Sequence, residues 1–293
     1  MTRRAFAGLL AGWGLASSVL PQAAGQNLDA AVMQMKHPWG KCVPGASKRV
    51  RVVTETVDAK GRVTNSSTTD TYSFLEEITD RDYTLRVEVT VEVGGKRFTS
   101  QPQSVKQGYF GESPGQAVTF KKVRDEEISL LGRPVTVENR EVTIHTDQQR
   151  RTAVVHFSDS ISPHVLKSVT TVTNGDGKTP IATTQVEVLA TGMPYRVLGE
   201  LREASYVRTV HTQPKRTTTI TVEVHCADVP GGVVAHTSKE LDETGAVVKR
   251  SMLELLEFDV GDRDNVEVSG RRSRAQNPRR TREPVPADRN RRR

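Results

Sequence analysis

Alternation with a period of two constrains this chain more than any other feature. From Leu85 to Val93 every second residue is Leu or Val, and Arg86, Glu88, Thr90 and Glu92 stand between them. Ile220-Thr221-Val222-Glu223-Val224-His225-Cys226 repeats the pattern. Successive side chains of an extended backbone leave opposite faces, so each segment has one apolar and one wet face. That is the signature of antiparallel sheet. The chain is rich in Thr and Val and only 5% aromatic, which favours strands again. The most helix-like stretch, Asp125 to Leu131, reads as a turn or two at most before Gly132 and Pro134 stop it.

Turn chemistry punctuates these runs. Asp58-Ala59-Lys60-Gly61, Gly94-Gly95, Glu138-Asn139-Arg140, Gly175-Asp176-Gly177 and Asp242-Glu243-Thr244-Gly245 all offer residues that accept a positive φ or cap a turn. Between them lie a dozen or more strands, many about ten residues long against a usual mode of 5–6. Long strands joined by tight turns predict an all-β meander curled into a barrel or half-barrel.

The sequence also repeats itself. His156-Phe157-Ser158-Asp159, Pro163 and Val165-Leu166 lead through a Thr-rich strand to Gly177. His225-Cys226-Ala227-Asp228, Pro230 and Val233-Val234 lead to Gly245. A fainter copy runs from Trp39 through Pro44 to Gly61. The Pro-to-Gly spacings are 17, 14 and 15 residues, which predicts a loop–strand–turn–strand unit used three times. On that reading Pro44, Pro163 and Pro230 form an exposed rim.

The repeat places His156 with Asp159 and His225 with Asp228 at equivalent strand ends. These four are the candidate metal ligands or acid–base pairs of the chain. The competing reading is structural, with each carboxylate holding an imidazole or loop N–H groups. Three-residue spacing puts His and Asp on opposite strand faces unless the strand ends between them. The structural reading is preferred.

Residues 1–25 read as an export signal. Arg3 and Arg4 precede an uncharged run from Ala5 to Leu20, and Ala23-Ala24-Gly25 offers small residues for cleavage. Thr2-Arg3-Arg4-Ala5-Phe6-Ala7 resembles the twin-arginine motif, which implies folding before export; the alternative is an ordinary secretory signal. The run is too short and too broken by Gly8, Gly12 and Gly14 to span a bilayer. The expected location is periplasmic or secreted.

The net charge of +7 is unevenly held. Residues 270–293 hold ten arginines (Arg271, Arg272, Arg274, Arg279, Arg280, Arg282, Arg289, Arg291, Arg292 and Arg293) against Glu283 and Asp288. Residues 26–269 hold 30 basic and 33 acidic residues. A basic face for specific nucleic-acid recognition is therefore not expected in the folded part. The organisation predicted is a signal (1–25), a lead-in (26–45), a β region (46–261) with a possible subdivision near 111–125, and a tail (262–293). The tail has Pro278, Pro284 and Pro286 and no aromatics, which reads as disorder. It suits loose, salt-sensitive attachment to an anionic envelope polymer or membrane surface, or serves only as a solubilising end.

Cys42 and Cys226 are the two cysteines. An oxidising compartment permits a disulfide between them, and two separate buried thiols are the alternative.

The stretch from Glu126 to Lys167 carries Leu131-Gly132-Arg133 and Phe157-Ser158-Asp159-Ser160-Ile161-Ser162-Pro163-His164-Val165-Leu166-Lys167. It resembles uncharacterised exported bacterial β proteins, distantly similar to the half-barrels of lipoprotein carriers. Trp39-Gly40, Pro44-Gly45 and the strand at Thr54 are similar to secreted bacterial proteins as well. The resemblance implies an apolar concave face for an acyl chain or hydrophobic ligand. Half-barrels of that kind carry covering helices, and this sequence shows none.

Phosphate-loop, His-Glu-x-x-His and calcium-loop patterns do not occur. Glu76-Glu77 and Glu126-Glu127 are the paired acids of solvated strand edges. No catalytic residue and no cofactor is expected. The sequence predicts a non-catalytic binding or structural module of the cell envelope, with a hydrophobic-ligand carrier as the alternative and an unrecognised enzyme third.

Overall fold

The computed structural model describes residues 33–261 apart from 147, 176 and 215. The signal and the tail lie outside the described residues. After one helical turn at 33–36 the chain forms fourteen strands. They are β1 (Ser47–Val57), β2 (Val63–Ile78), β3 (Asp82–Val93), β4 (Lys96–Thr99), β5 (Gln103–Gly108), β6 (Ala117–Leu130) and β7 (Arg133–His145). Then follow β8 (Gln149–Phe157), β9 (Val165–Asn174), β10 (Pro180–Val197), β11 (Glu200–Thr212), β12 (Thr218–His225), β13 (Val233–Leu241) and β14 (Val247–Asp259). The all-β antiparallel architecture read from the alternation is the one observed.

All fourteen strands belong to one open, half-barrel-like sheet ordered β4-β3-β2-β1-β14-β13-β12-β11-β10-β9-β8-β7-β6, with β5 beside β4 on the same flank of β3. Two meanders, β1–β5 and β6–β14, are thus joined where β14 pairs with β1. The outer flanks of the sheet are consecutive in sequence, joined by residues 109–116. Laid flat, twelve strand spacings of about 4.8 Å would hold β5 and β6 about 58 Å apart. The chain from Gly108 to Ala117 reaches roughly 32 Å when fully extended. The sheet must therefore curl.

Four apolar clusters form the core. Val50, Val224, Val234 and Leu255 build one with Val197 and Cys226; Trp39, Ala46, Leu75, Tyr83 and Tyr109 build a second. Leu130, Val137, Leu166, Val188 and Val207 form the third; Val142, Ile144 and Ala153, with Phe110 and Phe120, form the fourth.

Three local expectations change. Residues 125–130 are strand, the last part of β6, and Leu131 is in the turn after it. Glu138-Asn139-Arg140 is not a turn but the middle of β7. Most of its polar groups pair sideways: Glu138 pairs with Arg140 and Lys122, and the Asn139 amide N–H donates to Glu126. The buried Arg140 guanidinium lies 4.1 Å from the Phe157 ring centroid and 5.1 Å from that of Phe120.

The repeat, too, takes a different form. Ser158 N–H donates to His164 O and Cys226 N–H to Gly232 O, both at 2.8 Å and both six residues ahead. Phe157 pairs with Val165 and His225 with Val233, each after a register shift. The β8–β9 and β12–β13 hairpins thus close alike, but with Phe157, not His156, in the place of His225. The Pro44 segment closes differently, with Gly45 N–H donating to Leu75 O across to β2. Pro230 is fully buried, so the prolines do not form one exposed rim.

Candidate functional site

The register across β11–β14 and β1 sorts their side chains onto two faces. Tyr206, Val224 and Ala235 lie in one row, and Val222, Thr237 and Met252 in the next. Val53 faces Met252, and Arg51 faces Glu254, on the same side. Glu223, His236, Leu253 and Val52 point to the other side.

The first face floors an apolar groove. Its wall is the far end of the β10–β11 hairpin, bringing Tyr195, Val197 and Leu198 over the floor. Register shifts at Val188/Ala190 and Ala190/Met193, with Gly192 at φ 65°, bend this hairpin away from its neighbours. A cavity of about 500 Å³ lies under the wall, and a second of about 590 Å³ continues toward Val57 and Gly61. Val222 and Thr237 line both, so the two form one elongated trough.

Two of the cations around the trough, Arg51 and Arg250, are held in ion pairs. Arg51 grips Asp70 at 2.8 and 2.9 Å, and this hydrogen bonding holds the Asp70 carboxyl below its usual range. Arg250 donates to Glu55 at 2.6 Å. Ile220, Val222, Val224 and Ala235 form an apolar strip along the floor, with Thr237 and Lys239 beside it. Such a strip can take hydrocarbon beside polar groups at its margins.

The opposite face carries a half-buried polar cluster that sequence reasoning missed. His225 Nε2 meets Glu223 Oε2 at 2.9 Å. Burial raises the Glu223 carboxyl, but His225, His236 and Lys48 outweigh that and leave it below the usual range. Burial pushes the Lys48 ammonium down to about 8. Lys48 Nζ donates to Val233 O at 3.4 Å and lies 5.8 Å from the Trp39 ring centroid. The cluster clamps the Trp39 segment onto the β12–β13 hairpin. Alternation alone marks Lys48 and Glu223 as wet-face residues, which hid them.

The four sequence candidates for metal binding are not brought together. His156 Nε2 meets Glu126 Oε1 at 2.6 Å, while Asp159 pairs with Lys36 at 3.0 Å. His225 takes Glu223, while Asp228 faces Arg202 at 3.4 Å. Each pair is split because its His belongs to the strand and its Asp to the loop. Among the described residues no three His, Cys, Asp or Glu gather as a metal centre. His156 Nδ1 and Asn139 Oδ1 are buried without a partner among the described residues. Cys42 and Cys226 are not joined to each other: Cys42 Sγ meets Pro38 O at 3.4 Å, and Cys226 packs with Val229 and Val234. The tail arginines lie outside the described residues.

No family model matches this chain, and no curated protein is significantly similar to it. Among solved structures, a candidate lipoprotein from Parabacteroides distasonis is 10% identical with a TM-score of 0.26, over 74% of this chain and 96% of that one. A DUF1329 family protein from Desulfovibrio piger is 9% identical with a TM-score of 0.36, over 82% of this chain and 95% of that one. Likenesses of this size carry no inference about function.

Proposed function

We propose that this chain is an exported, non-catalytic binding module of the cell envelope that receives an apolar chain, such as the acyl chain of an amphiphile, in the trough on β12–β14 and β1. The observation that carries the reading is the trough itself. Its two lobes, about 500 and 590 Å³, have the size of small-molecule sites and share an apolar floor at Val222. Hydrocarbon buried there gains about 25 cal/mol for each Å² removed from water. In this reading the arginine-rich end attaches loosely to anionic envelope polymers, and that contact weakens with salt.

The test is mass spectrometry of organic extracts from protein purified out of its native envelope, beside a Val222→Trp variant. An amphiphile in the extract of the parent, and its loss from the variant, support the reading. Equal and empty extracts, with no displacement of a fluorescent fatty-acid probe, overturn it and leave a purely structural module.

A further inference from the structure

Two hairpin tips share an unusual construction. Leu131-Gly132 connects β6 to β7, with Leu130 paired to Arg133. Leu198-Gly199 connects β10 to β11, with Val197 paired to Glu200. Leu131 has φ 54° and Gly132 φ 75°; Leu198 has φ 47° and Gly199 φ 95°. These are the only two non-glycine residues with positive φ among the described residues. A two-residue loop with both central φ values positive suits Asn-Gly or Asp-Gly. A leucine there is strained by its own Cβ. Each leucine is also wet: Leu131 is 59% and Leu198 51% exposed, and Leu201 beside the second tip is 71% exposed. An asparagine would satisfy both backbone and solvent. Strain and apolar exposure coinciding at two separate tips call for something apolar that covers them.

The topology puts both tips at one end of the sheet. β6, β8, β10, β12 and β14 alternate with antiparallel partners, so all five run in the same direction. Both hairpins outrun their neighbours: β8 first meets β7 at Glu138, and β9 leaves β10 at Glu187. Leu130 and Val137 pack with Val188 in one cluster, tying the two hairpins together. Each tip has a cation. Arg133 is exposed and has no ion-pair partner among the described residues; Arg196 is exposed and donates to Gly199 O at 2.9 Å. The nearby Glu200 is occupied by Arg202 at 2.6 Å. β14 ends at this same end, and the ten arginines follow Gly261 in the sequence.

We propose that Leu131 and Leu198 insert into an anionic lipid bilayer, with Arg133 and Arg196 at the headgroups. Isolated apolar residues beside cations match the acyl–headgroup boundary, where hydrocarbon depth and negative surface potential act together. Two separated single leucines offer too little contiguous surface for a protein interface. The inference does not rest on a ligand in the trough.

The experiment is flotation of the full chain with vesicles of phosphatidylethanolamine and phosphatidylglycerol, comparing the parent with a Leu131→Asn/Leu198→Asn double variant. Each lost leucine should weaken partition about tenfold. The thermal midpoint should hold or rise, because asparagine accepts positive φ. A variant that floats as well as the parent overturns the proposal, since the tail alone then accounts for binding. A parent that does not float overturns it as well. Should the double variant fold poorly, Leu131→Trp, at a position that lines neither lobe of the trough, gives an independent reading. Its emission, against the parent as blank, should shift to the blue on adding vesicles, and an unchanged spectrum overturns the insertion.

Discussion

Tyr109 and Phe110 are consecutive, yet they pack into different cores at opposite flanks of the sheet. Tyr109 enters the cluster of Trp39, Leu75 and Tyr83, while Phe110 stacks on Phe120 with ring centroids 5.5 Å apart. Arg151 on β8 donates to Phe110 O at 2.7 Å and to Gly111 O at 3.4 Å. Tyr109 Oη donates to Thr79 O at 2.6 Å and lies 3.1 Å from Asp82 O. This pair holds the two flanks of the curled sheet to one short strap.

Tyr109→Phe keeps the ring and removes those hydrogen bonds, so it should cost about 1–2 kcal/mol. Phe110→Ala removes half-buried aromatic surface and should cost about 2–3 kcal/mol. Urea unfolding of each variant checks both values. A midpoint equal to the parent's for either would show that the strap does not hold the flanks.

Arg140→Met should cost about 1–2 kcal/mol. It keeps much of the aliphatic stem but loses the stacking on Phe120 and Phe157 and the pairing with Glu138. Glu138 is not stranded, because Lys122 Nζ remains 3.1 Å away. Arg140→Ala should cost more, about 3 kcal/mol, since it also opens the space between the rings. Denaturant titration that finds Met and Ala equal would remove the packing part of this account.

His37 should make the fold acid-sensitive. It sits 5.0 Å from Tyr83 and 5.4 Å from Tyr109 between ring centroids, and burial pushes its pKa down to about 4. Its Nδ1 accepts the Trp39 N–H at 3.2 Å, a bond that a protonated Nδ1 cannot accept. With a folded pKa below the unfolded one, the unfolded chain binds more protons between them. Stability from this group is therefore present above pH 6.5 and lost as pH falls toward 4. In a His37→Phe variant the fall in melting temperature across that window should be smaller than in the parent. Parallel pH profiles would sink the assignment.

Gly231 and Gly245 both have positive φ, at 70° and 85°, but differ in surroundings. A Cβ on Gly231 would lie 2.7 Å from Trp39 Nε1 and 2.9 Å from Lys48 Nζ; one on Gly245 would meet nothing within 4 Å. Gly245→Ala should cost about 1 kcal/mol for the backbone alone. Gly231→Ala adds crowding and should cost about 3 kcal/mol. Thermal melts of the two variants measure the difference, and equal losses would contradict the close packing.

Strand identity was legible because side-chain alternation is a local property, and Leu85–Val93 announces its two faces unaided. Strand order was not. The pairing of β14 with β1 joins Ser47 to Asp259, and no local pattern encodes a contact of that span. Glu138-Asn139-Arg140 reads as a turn because polarity alone does not distinguish exposed charge from charge paired across strands. His156 and His225 stand out in the sequence, but their partners, Glu126 and Glu223, lie outside the His-x-x-Asp pattern of the repeat. The trough could not be foreseen, since its wall depends on two register shifts in β10. Leu131-Gly132 and Leu198-Gly199 stand plainly in the sequence, yet their meaning emerges only once the leucines have backbone angles.

The β14–β1 ladder has a consequence for how the chain can be rewired. Because Ser47 and Asp259 are partners, the first and last strands lie side by side, and a flexible linker from Gly261 back to Met33 would close the folded unit into a ring. New ends placed between Gly108 and Ala117 would then give a chain in which nearly every strand is followed by the one it pairs with. Such a permutant swaps the longest-range ladder for a local one, so it should assemble faster than the natural order, which must wait for its last strand to complete the middle of the sheet.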